Sequence, residues 1–194
     1  MASTRTRARV HEAALALVGD AGIAKVTMEG IAARAGVGKQ TLYRTWPSTS
    51  TILFDALLAR SETSEGVVAV PDSGDLRSDL LLLVQQTIHE LTSPATEPLL
   101  RAVTAAIQTD SDLARQYRDL LLEPQMSAVA QRLERGGVTE PDAAAELLLG
   151  PVLHRWLLRR GTFDHGWMED HVDRTLRGVA WRSTDQMSST SRRS

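Results

Sequence analysis

The chain has 194 residues, 22 basic against 24 acidic side chains and no cysteine, which rules out disulfides and thiolate metal sites and leaves ample apolar material for a core. With no run of about 20 apolar residues and no charged-then-apolar leader, neither a membrane span nor a signal peptide is expected, and a cytoplasmic protein is. The formal charge of −2 taken alone argues against nucleic-acid binding, yet residues 1–60 carry eight basic side chains against four acidic ones and the remainder is net −6. A basic head on an acidic body is the distribution expected of a small DNA reader joined to a domain that does not touch DNA.

The first predicted helix runs from Thr4 to Asp20, where Val10, Ala13, Ala14, Leu17 and Val18 form an apolar stripe and Ala21-Gly22 ends it. Arg5, Arg7 and Arg9 upstream of that stripe are candidate phosphate contacts, although a short basic terminus is as readily a solvated end.

Thr27 to Pro47, TMEGIAARAGVGKQTLYRTWP, reads as two short helices joined by a glycine turn, a helix-turn-helix. Thr27 caps the first, Ile31, Ala32 and Ala35 share its inner face, Gly36 stops it where positive φ is needed, and Val37 plugs the angle. The second, Lys39 to Thr45, buries only Leu42 and, from its closing turn, Trp46. Lys39, Gln40, Thr41, Tyr43 and Arg44 face outward, and these types suit a recognition helix: Lys and Arg neutralise phosphates, Gln pairs with a base edge, and Thr and Tyr offer hydroxyls and apolar surface. A merely packed hairpin would not explain why they crowd one solvent face. Trp46-Pro47 ends the helix and Ser48 caps a fourth, which carries Ile52, Leu53, Ala56 and Leu57.

At these residues the chain resembles the TetR family of transcriptional regulators, whose reader pattern is matched by Thr27, Ile31, Ala32, Ala35, Gly36, Val37, Thr41, Leu42, Tyr43 and Trp46. The resemblance implies that Thr27, Lys39, Gln40, Thr41, Tyr43 and Arg44 bind DNA. Two positions depart from the family pattern. Gly30 stands where an acidic residue completes the cap, at a helix-propensity cost of up to about 1 kcal/mol relative to Ala. Thr49, in the run Ser48 to Thr51, stands where a lysine reaches a phosphate, so roughly one counterion-releasing contact is forfeited.

Beyond a loop at Gly66–Gly74, further helices are predicted at Asp75–Thr92, Thr96–Thr109, Ser111–Arg135 with a bend at Pro124, Glu140–Arg160 kinked or split at Gly150-Pro151, and Asp164–Arg182. A Ser/Thr-rich tail, 183–194, is expected to be disordered. There is no strand alternation and no internal repeat. The expected fold is therefore all-α: a helix-turn-helix DNA-binding domain at 1–48, a connecting helix at 49–65, and a regulatory and dimerisation domain at 75–182. The segment from Pro98 onward also resembles the C-terminal domain of one TetR branch, with Leu148 to Pro151 as its best local mark.

The family resemblance implies that the last two helices pack against their copy as a four-helix bundle, through Leu147, Leu148, Leu153, Trp156 and Leu157 on one and Trp167, Met168, Val172, Leu176 and Val179 on the next. Polar or adaptable groups in the body, Gln85, His89, Thr104, Gln108, Tyr117 and Met126, are the candidates to line an effector pocket, each also open to a reading as surface or core filler. His154, Asp164, His165, Glu169, Asp170, His171 and Asp173 include metal-ligand types, but no His-Glu-x-x-His run, nucleophile elbow or phosphate-binding glycine loop is present, and charged helix surface explains them better. The expectation is a homodimeric, non-enzymatic, one-component regulator without metal or cofactor, a repressor released from double-stranded palindromic operator DNA by a small-molecule effector. The alternative is a helical ligand-binding or scaffold protein that no longer reads DNA, with Gly30 and Thr49 as its lesions.

Overall fold

The computed structural model describes residues 3–22, 25–61 and 70–190, and of 180–190 the backbone alone. The order is α1 (Thr4–Ala21), α2 (Met28–Ala35), α3 (Lys39–Thr45), α4 (Thr49–Ser61), α5 (Leu76–Thr92), α6 (Glu97–Ala106), α7 (Ser111–Tyr117), a π turn at Arg118–Leu122, α8 (Glu123–Arg135), α9 (Pro141–Leu157) and α10 (His165–Thr190). No strand occurs among the described residues.

The chain divides into two compact units, one of Met1–Val67 with Thr92–Leu121, the other of Val68–Leu91 with Leu122–Ser194. In this grouping α6 and α7 pack with the reader helices, although the sequence places them in the regulatory domain. Their apolar faces, Leu99, Ala102, Val103 and Leu113, join the core that Val10, Ala14, Ile31, Leu42, Ile52 and Leu53 form in the first unit. The short reader helices could not stand alone, since helices of seven or eight residues are marginal in water. They persist by burying such residues, each worth about 1.5–3 kcal/mol when fully removed from water.

Local signals set the ends of these elements. Ser3 Oγ accepts from the Thr6 N–H at 3.2 Å to open α1. At the start of α4 a reciprocal box forms, Ser48 Oγ accepting from the Thr51 N–H and Thr51 Oγ1 from the Ser48 N–H, both at 3.2 Å. The long helix expected over Ser111–Arg135 is interrupted by the π turn immediately before Pro124, which sits in the first turn of α8. Proline has no N–H to close the usual bond, and the wider turn accommodates the missing donor. The division between the two units falls at this same turn.

The second unit packs α8 against α9 and α9 against α10, over Val129, Leu133, Ala144, Ala145, Leu148, Val152 and Val172. The kink or split expected at Gly150-Pro151 does not divide α9, which continues through Pro151. Both residues lie on the exposed side of the helix, so the carbonyl that proline leaves unpaired faces water. α9 stops earlier than expected, Arg159 taking the left-handed turn at φ 52°. The backbone of α10 runs to Thr190, past the point where a disordered tail was expected; no glycine or proline interrupts 183–190. Residues 191–194 of that tail lie outside the described residues, as do 62–69, the end of the connecting helix and the start of the expected loop.

Asp79 of α5 and Arg132 of α8 form a buried ion pair, 3% and 2% exposed, with Arg132 Nε 2.9 Å from Asp79 Oδ2. Ser73 donates to the same carboxylate through its N–H and its hydroxyl, and Arg132 Nε also reaches the Pro71 carbonyl at 3.2 Å. Pro71 and Ser73, just before α5, are thus pinned by hydrogen bonds to a buried ion pair.

Candidate nucleic-acid interface

The reader is built as its sequence dictates. Thr27 takes extended backbone and its Oγ1 accepts from the Gly30 N–H at 3.0 Å, capping α2. Gly36 turns left-handed at φ 61°, ψ 41°, and the N–H groups of Gly36 and Val37 bond back to the last turn of α2. Arg9 of α1 adds a brace at this turn, its guanidinium donating to the carbonyls of Ala35 and Gly36. Cations near a helix C-terminus complement the exposed carbonyls, so Arg9, considered as a phosphate contact, has a structural task at this turn.

α3 then inserts Leu42 fully into the core and closes with Trp46, 4% exposed. Lys39, Gln40, Tyr43 and Arg44 are exposed, Thr27 is exposed at the mouth of α2, and Thr41 is half-buried. Because Thr27 uses its oxygen as an acceptor, its hydroxyl proton remains to be donated outward.

Beside the apolar core, α4 is tied to α1 and to the end of α3 by a carboxylate that the sequence does not mark. Asp55 Oδ2 accepts from Trp46 Nε1 and His11 Nε2, both at 2.9 Å, and from Arg7 Nε at 2.8 Å. Burial opposes ionisation of Asp55, but the donors from His11, Arg7 and Trp46 outweigh it and hold the carboxyl well below its ordinary range. His11 also meets Trp46 edge-on at 6.3 Å. Arg7, like Arg9, is thereby engaged within the fold.

A second unforeseen acid is Glu29, in the first turn of α2. Its Oε1 accepts from the Tyr43 hydroxyl at 3.2 Å and lies 3.7 Å from Lys39 Nζ. A hydrogen bond from its own backbone N–H, followed by that from Tyr43, holds the Glu29 carboxyl below its ordinary value. The Tyr43 hydroxyl is pushed up, by desolvation first and then by the Glu29 charge.

Comparison with known proteins decides the family. Residues 11–56 match the model of the bacterial regulatory proteins of the tetR family, and residues 70–175, over half the chain, match the tetracyclin repressor-like C-terminal domain. The chain belongs to the TetR family of transcriptional regulators. It is similar to the HTH-type transcriptional regulator AqdR of Rhodococcus erythropolis, 30% identical over 81% of this chain and 77% of that protein. It is also 26% identical to the HTH-type regulator YdeS of Bacillus subtilis, over 94% of each. Among solved structures, the TetR family transcription regulator SCO0332 superposes with a TM-score of 0.68 at 33% identity, covering 90% of this chain and 98% of that one. The flavonoid-responsive regulator FrrA shares the fold at 23% identity and a TM-score of 0.65, covering 91% and 96%. As a TetR-family protein the chain is a helix-turn-helix regulator of transcription and not an enzyme.

The two departures from the family pattern leave the reader whole. Gly30 still donates its N–H to Thr27, and a Cβ there would sit 3.1 Å from Thr27 Oγ1 and 3.6 Å from a Leu17 methyl, so glycine suits a tight site. Thr49 opens a helix already boxed by Ser48 and Thr51. A reader that has lost DNA binding is therefore not favoured.

In the second unit of this TetR-family chain, the expected dimer residues fall into three groups. Leu147, Leu153 and Leu157 are exposed on α9, and Leu158 joins them although the sequence reading passed over it. Leu148, Trp156 and Val172 are instead buried within the protomer, where they tie α9 to its neighbours. Trp167, Met168, Leu176 and Val179 are half-buried. Trp167 stacks on His171 with ring centroids 4.9 Å apart, and the Arg155 guanidinium lies 4.7 Å from the Trp167 ring. Three of the groups weighed as ligands have structural partners: His171 Nε2 meets the Leu148 carbonyl at 2.8 Å, Asp173 accepts from Arg77, and Asp164 caps α10 through the Trp167 N–H.

The candidate effector residues do not share one unit. Thr104, Gln108 and Tyr117 belong to the first, with Gln108 Nε2 3.4 Å from the Thr104 carbonyl and the Tyr117 ring 6.3 Å from Phe54. Burial pushes the Tyr117 hydroxyl up. Gln85, His89 and Met126 belong to the second, His89 exposed and the other two half-buried. Gln86, beside Gln85, was missed: its Oε1 is buried and accepts no hydrogen bond from any described residue.

Proposed function

We propose that this regulator is a homodimeric repressor that binds a palindromic operator through α3 and releases it when a small molecule enters its C-terminal body. The observation that carries the reading is the exposed face of α3, where Lys39, Gln40, Tyr43 and Arg44 stand clear of a core anchored by Leu42 and Trp46. On this reading Thr27, Lys39 and Tyr43 contact phosphates, while Gln40, Arg44 and the half-buried Thr41 approach base edges in the major groove. Two-fold pairing through the exposed leucines of α9 and the half-buried side chains of α10 would set the half-site spacing. The unpartnered Gln86 oxygen supports a polar contact to an effector, since buried polar groups in mostly apolar sites fix ligand orientation. Release requires only that the effector prefer the dimer whose recognition helices no longer match that spacing. Such a regulator works in the cytoplasm; among the described residues no helix is long and apolar enough to cross a membrane.

The test is quantitative DNA binding by Lys39→Ala and Gln40→Ala dimers. Lys39→Ala should weaken binding to all duplexes alike and flatten the log affinity–log salt slope by about one. Gln40→Ala should weaken binding to the operator selectively, by the roughly 1–3 kcal/mol of a bidentate base contact. Wild-type affinity in both variants would remove α3 from the interface.

A further inference from the structure

An acidic side chain reaches over the face that a DNA reader has most reason to keep positive. Glu29 lies at the start of α2, where the helix dipole favours a carboxylate whichever way it points. That preference does not require its Oε1 to approach Tyr43 Oη at 3.2 Å and Lys39 Nζ at 3.7 Å. Lys39 and Tyr43 are one helical turn apart on α3, and both are donors directed outward. A carboxylate between an ammonium and a phenol presents the same chemistry as a DNA phosphate oxygen placed between them.

We propose that Glu29 is an internal phosphate mimic that occupies the Lys39–Tyr43 donor pair in the free protein and must yield it when α3 meets the DNA backbone. The proposal rests on Lys39 and Tyr43 being phosphate contacts, as argued above. The three side chains are well exposed, that of Glu29 by 54% and that of Lys39 by 64%, and surface pairs of this kind are weak. The carboxylate is therefore exchangeable. Even when displaced it stays within a Debye length of the backbone and repels it. Its task is to lower the phosphate-driven baseline of affinity, and with it the salt dependence, on every duplex alike, because phosphate contacts carry no sequence information.

The experiment compares wild type, Glu29→Gln, Lys39→Ala and the double variant by fluorescence anisotropy on an operator duplex and a scrambled duplex, across about 50–300 mM salt. Gln keeps an acceptor for Tyr43 and removes only the charge; melting curves for each variant confirm equal folding. Glu29→Gln is expected to bind both duplexes about three- to tenfold more tightly at low salt, with a slope steeper by up to about one. In the Lys39→Ala background that gain should fall below about twofold, the signature of coupling between the two residues. Unchanged or weaker binding by Glu29→Gln overturns the proposal and makes Glu29 a brace for α3. A gain that persists in full without Lys39 also overturns it, since diffuse charge would then suffice. Failure of the wild-type protein to bind either duplex would overturn the DNA-reader assignment itself, and this proposal with it.

Discussion

Replacing Asp55 with Asn keeps the shape of the side chain and removes the charge on which α1, the end of α3 and α4 converge. Of its three donors, Arg7 is half exposed, and a pair of that kind contributes at most about 1 kcal/mol. Trp46 and His11 are 4% and 9% exposed, and buried hydrogen bonds to a charged acceptor are worth about 1.5–3 kcal/mol each. Asn can keep its carbonyl oxygen where Oδ2 accepts from Trp46, His11 and Arg7 Nε, but it loses the charge that strengthens those bonds and turns its amide toward Arg7 Nη2, so the net loss is about 2–4 kcal/mol. At roughly 2–4 °C per kcal/mol for a chain of this size, the melting temperature should fall by about 5–15 °C. The pH dependence has a definite sign. The folded-state carboxyl of Asp55 is depressed from its ordinary 3.8, so its stabilisation is complete above about pH 5 and is lost as pH falls through the folded value. Thermal melts by circular dichroism should show a gap between wild type and Asp55→Asn at neutral pH that closes as pH falls below the ordinary carboxyl range. A gap under about 1 kcal/mol at neutral pH, or one unchanged in acid, would refute the assignment of Asp55 as the anchor of the reader.

Gly36→Ala should cost about 1–2 kcal/mol in urea melts, because the new Cβ meets both the left-handed backbone and Arg9 Nη2 at 2.6 Å; a neutral result would mean that Arg9 and the turn move freely. In the second unit, Arg132→Met alone should lower the melting temperature more than the Asp79→Leu, Arg132→Met double variant, because the single change strands a buried carboxylate. Equal losses would show the pair to be inessential. Leu147→Asp with Leu157→Asp should convert the protein to a folded monomer by light scattering and reduce operator affinity, since both side chains are exposed on α9; a persistent dimer would move the interface elsewhere.

Much of the reader was legible because its signals are local. Thr27 and Gly36 act within one turn of their own position, and Leu42 and Trp46 are the apolar positions of a short polar helix, so spacing alone revealed cap, turn and core. Asp55 was not legible. Its partners lie 9, 44 and 48 residues away, and nothing in an apolar helix marks one acid as the meeting point of three donors. Glu29 escaped for the same reason, its contacts running between helices. The buried Asp79–Arg132 pair was not legible either, since a charged residue gives no sign of burial until a partner 53 residues off is known. The two prolines expected to bend or split helices behave differently: a π turn precedes Pro124, while Pro151 rides on the outside of a continuous helix. The leucine-rich α9 did not reveal which side faces inward, because apolar residues surround it; burial separates Leu148 and Trp156 from Leu147 and Leu157.

The most direct test of the account is fluorescence anisotropy of the purified protein on its own upstream DNA and on a scrambled duplex, over a salt series. A DNA-reading α3 should give sequence-selective binding whose log affinity falls steeply and linearly with log salt on both duplexes, with the upstream fragment far tighter throughout. Equal, weak binding to the two, traced across upstream fragments that tile the whole neighbouring region, would contradict it.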